Sequence, residues 1–311
     1  AGVNGVGKST LLTAIGRCAS HALPRLTQSK ESTLSTASTD IKANKESLSV
    51  RAQFKTSNAH VHIDIARSAD ISTTEAEELT KERDEFRFAM RETKKGSREE
   101  KILRAAIHVI ETKLASVEDL LTVRILPVDP NTEPDELIED IRRTAAKPLA
   151  VFYSTSRLLS RLPPMLPKTR DIEIATAYNK ALDQLEISLN DFANWYRVLS
   201  EARDVKRSKR IFQQLENAIS TFLQDVSGLQ LHPNRPPRFS VKKNGDMFFL
   251  EQLSDGERGL LALVFDLTRR LAIANPESDN PIAEGVALVL IDEIELHLHP
   301  KWQRQVVRKL R

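Results

Sequence analysis

The sequence predicts an α/β fold in which a mixed β-sheet is flanked by helices and carries inserted helical subdomains. Near the amino end, the glycine-rich turn "GVNGVGKS" (2–9) runs directly into a helical segment. Near the carboxyl end, the apolar run "VALVLI" (286–291) has the length and composition of a buried parallel strand. Between them, charged stretches with helical periodicity, such as 73–121, predict the inserted helices.

The glycine-rich turn fits the phosphate-loop pattern G-x-x-x-x-G-K-[ST] at every position. Its glycines allow positive φ angles, so that successive backbone N–H groups can approach phosphate oxygens. Lys8 can reach the β- and γ-phosphates of ATP, and the Ser9 hydroxyl can bind Mg²⁺. The residues that we expect to hold the nucleotide here are Gly2, Asn4, Gly5, Val6, Gly7, Lys8, Ser9 and Thr10.

The segment after this turn is helical, and its dipole favours an anion at its first residues. Leu11, Leu12 and Ile15 share one side of that helix. The alternative is a glycine turn that merely precedes a helix, and a complete match to the phosphate-loop pattern argues against it.

Two acids, Asp292 and Glu293, follow the apolar run directly. Asp292, at the carboxyl edge of the strand, can hold Mg²⁺, usually through water. Glu293 can position and deprotonate an attacking water, so we predict that it is the general base. Lys8 would stabilise the charge of the transferred phosphoryl group.

His297 and His299 come after these acids in "IELHLHP". They admit two interpretations: interface or structural residues near the γ-phosphate, or metal ligands, since His-x-His on an extended strand puts both rings on one side. We favour the first, because a zinc site needs further ligands and neither Cys18 nor another histidine lies nearby in the sequence.

The segment "LSDGERGLLALVFDLTRRLA" (253–272) predicts a polar turn and an amphipathic helix. Ser254 and Glu257 have the spacing of a capping box, so a well-capped helix is one sufficient explanation. The apolar positions spaced for burial are Leu260, Leu261, Val264, Leu267 and Leu271.

This segment also resembles the "LSGGQ" signature of ABC and SMC/RecF ATPases, and its place just upstream of the acidic strand matches theirs. The run from 251 to 311 is similar to bacterial AAA/RecF-like ATP-binding proteins, a group that includes the ATPase of Septu-type anti-phage systems and relatives of OLD-family ATPases. In that group the acidic strand continues into "HLHPxWQ", as 297–303 do here. The resemblance is dense over 1–17 and 251–311 and weak between them.

The resemblance implies an ABC/SMC-head type of P-loop NTPase that hydrolyses ATP at a two-subunit interface. Ser254, Gly256 and Glu257 would then belong to the nucleotide-binding residues, with the signature contacting the γ-phosphate held by the opposite subunit. Asp255 replaces the first glycine of the signature, and we expect it to point away from the phosphate because an acid facing phosphate is unfavourable.

The implied partners are a second copy of the chain, in a homodimer or higher oligomer through the nucleotide site, and an effector such as a nuclease. A role in anti-phage defence follows from family analogy alone. Two alternatives stay open: a DNA-repair or SMC-like head whose ATPase controls DNA binding, and the ATPase part of an OLD-type nuclease. A non-hydrolysing nucleotide switch is disfavoured by the intact Glu293.

The remaining segments are assigned by pattern. Residues 47–67 predict a hairpin around Ser57-Asn58, with His60 and His62 on its polar face, and "NG" at 244–245 predicts a second tight hairpin. "PLAVFYSTSR" (148–157) predicts a buried strand before a Q-loop-like turn, where Ser154, Thr155 or Arg157 would replace the usual glutamine. The predicted segments are an N-terminal core part (1–72), a helical hairpin insertion (73–122), a core strand with the Q-loop-like turn (123–170), a helical lobe (171–228) and a C-terminal core part (229–311).

Composition sets further limits. A net charge of +3 does not by itself indicate a nucleic-acid binder, although "RDVKRSKR" (203–210) is locally basic. The single Cys18 excludes a disulfide framework and suits a reducing cytoplasm, and no apolar run has the length of a membrane span. Because the first residues lie inside a strand–loop–helix unit and the last inside a helix, we expect the chain to be part of a longer protein.

Overall fold

The computed structural model describes residues 7–27, 29–30, 33–34, 47–55, 59–68, 73–93, 98–115, 120–127, 147–155, 159–183 and 186–294. The chain divides into two compact units, one formed by 33–134 and the other by 1–32 together with 135–311. The five segments that we assigned from the sequence pattern stay a prediction.

The chain enters through helix α1 (Lys8–Leu26). The elements of the 33–134 unit follow in chain order: β1 (Ser47–Lys55), β2 (Ala59–Ser68), α2 (Thr73–Glu92), α3 (Arg98–Ala115) and β3 (Leu120–Pro127).

Strands β1 and β2 form the predicted antiparallel hairpin, with Ala52 opposite Ile63 and Gln53 opposite His62. Ile63 and Ile65 are buried, whereas His62 lies on the other face, with its Nε2 3.1 Å from Gln53 Nε2. Alternating burial therefore explains the alternating sequence, as predicted. The third strand, β3, pairs antiparallel with β2 and crosses the segment boundary predicted between residues 122 and 123. The two predicted helices α2 and α3 pack against each other.

The larger unit continues with a strand, helices and a three-stranded sheet. Its elements after α1 are β4 (Leu149–Tyr153), a 3₁₀ turn (Ile174–Ala177), α4 (Leu189–Ser200), α5 (Val205–Phe222), β5 (Val226–His232), β6 (Arg238–Lys243), β7 (Asp246–Phe249), a 3₁₀ turn (Leu250–Gln252), α6 (Asp255–Ala274), α7 (Pro281–Glu284) and β8 (Ala287–Ile291).

Strands β4 and β8 pair in parallel, as the two apolar runs predict. Strands β5, β6 and β7 form a separate antiparallel sheet, so the described residues contain separate parallel and antiparallel sheets rather than one mixed sheet. The predicted tight turn joins β6 to β7, with positive φ at both Asn244 and Gly245, the pair of left-handed conformations that a two-residue hairpin requires.

The core of the larger unit surrounds α6. Phe265 of α6 stacks on Phe192 of α4 at 4.3 Å between ring centroids, and Phe239 of β6 lies 5.5 Å from Phe192. Such offset aromatic contacts add to the burial of apolar surface. Nearly every side of α6 is buried, including Asp266, Arg269 and Arg270, so the helix is central and not amphipathic as the sequence suggested.

Helix α1 packs against both parallel strands. Its buried surface begins at Gly16, whose added methyl would lie 3.8 Å from Leu290 of β8, whereas Leu11 is 63% exposed. The buried surface of this helix is therefore formed by its later turns and not by the apolar side predicted at Leu11, Leu12 and Ile15. Among the residues that the structure describes, every helix is too short or too polar to span a bilayer.

Candidate functional site

The parallel strands β4 and β8 end at the same edge. Tyr153 is the last residue of β4 and lies opposite Ile291, the last of β8. The Asp292 N–H donates to the Tyr153 carbonyl at 2.9 Å, which extends the ladder by one residue. Asp292 is therefore fixed by a strand hydrogen bond at the carboxyl edge of the sheet, where ligands of open α/β sheets bind.

The Ser9 hydroxyl donates a hydrogen bond of 2.7 Å to Oδ2 of Asp292. Ser9 lies in the first turn of α1, and 283 positions separate the two residues. The start of α1 and the end of β8 thus meet in space, as the two motifs predict.

Gly7 immediately precedes α1 and adopts φ 82°, in the left-handed region. A methyl group added to it would meet nothing within 4 Å, so the requirement for glycine here comes from the backbone conformation. Lys8, Ser9 and Thr10 follow as the first three helical residues, at the end of the helix where the dipole favours an anion.

Glu293 is exposed and adopts φ 43°. A left-handed conformation is unfavourable for a residue with a side chain, and such conformations cluster at functional sites. No pattern in the sequence indicated this strained conformation. The left-handed conformation of Glu293 turns the chain sharply after Asp292. The carboxylates of Asp292 and Glu293 therefore need not point to opposite faces, as they would in a continuing strand.

The start of α6 has the predicted capping box. Ser254 Oγ donates to Glu257 Oε2 at 2.8 Å, and the Ser254 N–H donates to the same oxygen at 3.0 Å. The Glu257 N–H donates in return to Ser254 Oγ. Gly256 is buried in this first turn, and the exposed Asp255 pairs with Arg258.

A lysine from the neighbouring sheet completes this arrangement. Lys243, the last residue of β6, places its Nζ 2.7 Å from Glu257 Oε1. Burial would raise the pKa of Glu257, but hydrogen bonds from Lys243 and Ser254 outweigh it and lower the pKa. Glu257 is therefore held ionised, with both oxygens engaged.

A buried charged network joins the end of β4 to α6. The Tyr153 hydroxyl donates to Asp266 Oδ2 at 3.0 Å, and Arg270 Nε and Arg269 Nη2 donate to the same carboxylate at 2.7 and 2.9 Å. Burial raises the pKa of Tyr153 well above its ordinary value, so the hydroxyl keeps its proton. Burial would also raise the pKa of Asp266, but the charges of Arg270 and Arg269 bring it down to about 2.

Sequence reasoning missed this network, although one signal was present. Asp266, Arg269 and Arg270 have i, i+3 and i+4 spacing within an otherwise apolar helix. Arg270 also donates to the carbonyls of Ala177 and Asn179, which ties the 3₁₀ turn to α6.

Several predicted site residues lie outside the described residues, namely Gly2, Asn4, Gly5, Val6, Arg157, His297 and His299. Ser154 and Thr155 follow Tyr153 directly, at the edge where Asp292 lies. Within the described ranges, no group of three or more His, Cys, Asp and Glu side chains could hold a metal ion.

Several curated relatives match parts of the chain. "Retron Vc95 probable ATPase" of Vibrio cholerae serotype O1 biovar El Tor is 43% identical over 104 residues, which are 33% of this chain and 20% of the relative. "Retron Ec83 probable ATPase" of Escherichia coli is 39% identical over 136 residues, 43% of this chain and 25% of the relative. "Septu protein PtuA" of Bacillus mycoides (strain KBAB4) is 42% identical over 62 residues, 20% of this chain and 8% of the relative.

The matched part of the chain thus spans a quarter or less of each relative. The match to the Septu protein confirms the resemblance predicted from the sequence, whereas the retron proteins were not anticipated. The family described as "AAA domain, putative AbiEii toxin, Type IV TA system" matches residues 34–311, most of the chain. This chain therefore belongs to that AAA-domain family.

Proposed function

We propose that this chain binds ATP with Mg²⁺ and hydrolyses it to ADP and phosphate. The single observation that carries the proposal is the 2.7 Å hydrogen bond from Ser9 to Asp292, because it joins the phosphate-loop helix to the acidic strand end. A glycine turn before a helix and an acidic strand end are each common alone. Their convergence at the carboxyl edge of a parallel strand pair supports one nucleotide site.

The triphosphate would lie against the start of α1. Its ligands in this proposal are the predicted residues Gly2, Asn4, Gly5, Val6, Gly7, Lys8, Ser9 and Thr10. The left-handed Gly7 and the first N–H groups of α1 support this position, since both suit an anion. The Lys8 ammonium would stabilise negative charge as the γ-phosphoryl group is transferred.

Ser9 and, through water, Asp292 are the residues that would hold Mg²⁺. Their oxygen atoms are 2.7 Å apart, close enough to share one small cation, and hydroxyl and carboxylate oxygens are the ligands that Mg²⁺ prefers. When bound, the ion neutralises charge on the β- and γ-phosphate oxygens.

Glu293 is the proposed general base. Its carboxylate, one residue beyond Asp292, would orient the attacking water and take its proton as the water oxygen bonds to the γ-phosphorus and ADP leaves. The exposure and the left-handed backbone of Glu293 support this role.

The finer class within this proposal is an ABC/SMC-head type of ATPase. In it, Ser254 and Gly256 of one subunit would reach the γ-phosphate bound by a second copy, with Glu257 beside them among the nucleotide-binding residues. The active form would then be a homodimer or higher oligomer. The capped amino end of α6 supports this, because a helix terminus with a serine and a glycine suits phosphate.

The biological role that we propose is anti-phage defence, with ATP turnover coupled to an effector protein such as a nuclease. The names of the Septu and retron relatives support this role. A cytoplasmic location is part of the same proposal, and a single, buried cysteine, Cys18, suits it.

The decisive experiment compares single variants of the full chain. Glu293→Gln keeps the size of the side chain but removes the base, so ATP binding should persist while turnover falls by about 100-fold or more. Lys8→Ala should lose ATP binding itself, and Glu277→Gln, an exposed loop acid, is the matched control. Turnover of Glu293→Gln at the wild-type rate would refute the role of Glu293.

A second candidate function is nucleic-acid binding by the same ATPase. It is favoured by Arg203, Lys206 and Lys209, exposed cations around the start of α5. Binding to phosphate backbones would weaken steeply as salt rises. Duplex DNA binding that ATP strengthens and salt removes would support this candidate; equal binding at low and high salt would exclude it.

A further inference from the structure

The first turn of α6 contains an electrostatic conflict. The signature turn, which we define as residues 254–257, "SDGE", would receive the γ-phosphate of a second subunit's ATP under the proposed function. Yet Asp255 and Glu257 bring two carboxylates to it, whereas the "LSGGQ" pattern that it resembles carries none. Like charges in a partly desolvated contact repel strongly.

The structure pairs each of these acids with a cation. Glu257, whose side chain is 7% exposed, contacts Lys243 Nζ at 2.7 Å. Asp255, 66% exposed, pairs with Arg258 on the same helix. The Asp255–Arg258 pair is solvated, so its interaction is weak. The Glu257–Lys243 pair is shielded from water and keeps most of its electrostatic effect.

Lys243 reaches this turn from a separate element. It is the last residue of β6, just before the Asn244-Gly245 turn. The Asn244 N–H donates a hydrogen bond of 3.1 Å to the Asp225 carbonyl. The hairpin therefore fixes the position from which the lysine extends to α6. The ammonium then lies beside Glu257, which in turn binds the hydroxyl and the N–H of Ser254.

We infer that Lys243 is a positioning residue for the signature turn. It neutralises Glu257, so that Ser254 is held by a carboxylate without presenting a net negative charge to the incoming γ-phosphate. Arg258 offsets Asp255 only weakly, because that pair is solvated. This inference rests on the proposed function, and it adds a residue that the signature pattern does not contain.

The ion pair allows a charge role to be separated from a purely structural one. Lys243→Met and Glu257→Gln break the same bond, but the first leaves a negative charge and the second a positive charge. A structural role predicts that both variants lose activity and thermal stability alike. The charge role predicts that they change ATP binding in opposite directions.

The experiment measures KM for ATP with Mg²⁺, the Kd for ADP and the melting temperature on the full chain. Lys243→Met should raise KM at least about tenfold, because the unopposed carboxylate repels the γ-phosphate. The Kd for ADP, which has no γ-phosphate, should stay within about twofold. Glu257→Gln should lower KM, and the double variant should return to within about threefold of wild type, since glutamine still suits a capping box.

Lys242→Met is the matched control, because it removes the same charge from the adjacent, exposed position of β6. An unchanged KM in Lys243→Met, or equal losses in both single variants with a falling melting temperature, would overturn the inference. If Lys243→Met does not fold, Glu257→Gln tests the charge role by itself. A lowered KM for ATP supports that role, and a raised KM overturns it. A wild-type chain without ATP binding would instead overturn the proposed function itself, and the inference with it.

Discussion

The Tyr153 hydroxyl donates a hydrogen bond of 3.0 Å to the Asp266 carboxylate, although the two residues are 113 positions apart and both are buried. Tyr153 also accepts the Asp292 N–H through its carbonyl. Asp266 lies in α6, the helix that begins after Ser254. At a rise of 1.5 Å per residue, Asp266 is about 18 Å from Ser254 along the helix axis. One buried contact thus anchors both the acidic strand end and the helix of the signature turn.

Asp266→Asn should destabilise the fold by about 3–5 kcal/mol, because it leaves Arg269 and Arg270 buried without their carboxylate. The free energy of unfolding from urea titration measures this loss. Asp279→Asn is the control, since Asp279 makes a solvated pair with Arg210, and its removal should cost no more than about 1 kcal/mol. Equal stabilities of the two variants would show that the buried network contributes nothing.

Asp266 should also make the fold sensitive to acid. Its pKa falls from an ordinary value of 3.8 to about 2 on folding, so the unfolded chain takes up the proton first as pH drops. The corresponding stabilisation, about 2 kcal/mol, is complete above the unfolded pKa and is lost as pH falls from about 4 towards 2. Urea titrations at several pH values should give a steeper loss in wild type than in Asp266→Asn. Parallel curves would contradict the assignment.

Two glycines of the larger unit should respond to alanine in opposite ways. At Gly285, a methyl group would clash with the Pro281 carbonyl and lie 2.8 Å from Leu271 Cδ2, so Gly285→Ala should cost about 1–3 kcal/mol. At Gly259, inside α6, a methyl group meets nothing within 4 Å, and Gly259→Ala should stabilise the helix by about 0.5–1 kcal/mol. Melting temperatures of the two variants should move in opposite directions; a shift of both the same way would contradict the packing.

The local patterns of the sequence were sufficient for much of the fold. Alternation and apolar length predicted the β1–β2 hairpin and the strands β4 and β8, and the structure confirms them. Spacing alone predicted the capping box at Ser254 and the turn at Asn244-Gly245, because caps and tight turns are determined by neighbours in the chain. The Ser9–Asp292 contact was predicted from a pair of motifs.

Long-range contacts could not be predicted in this way. Two such contacts join Lys243 to Glu257 and Tyr153 to Asp266. They form because separate elements pack together, and the periodicity of the sequence does not indicate which polar side chains will pair. The same reason explains α6, where an apolar stripe predicted an amphipathic helix. Its charged side is buried as well, because the Asp266 carboxylate pairs with both arginines inside the core.

In the proposed function Ser9 and Asp292 act on one Mg²⁺–ATP complex, and a double-mutant cycle measures whether they do. Calorimetric titration with Mg²⁺ and a non-hydrolysable ATP analogue would compare Ser9→Ala, Asp292→Asn and the double variant. If both residues hold the same ion, the losses should overlap, with a coupling of about 1 kcal/mol or more. Losses that simply add, as for independent sites, would contradict the account.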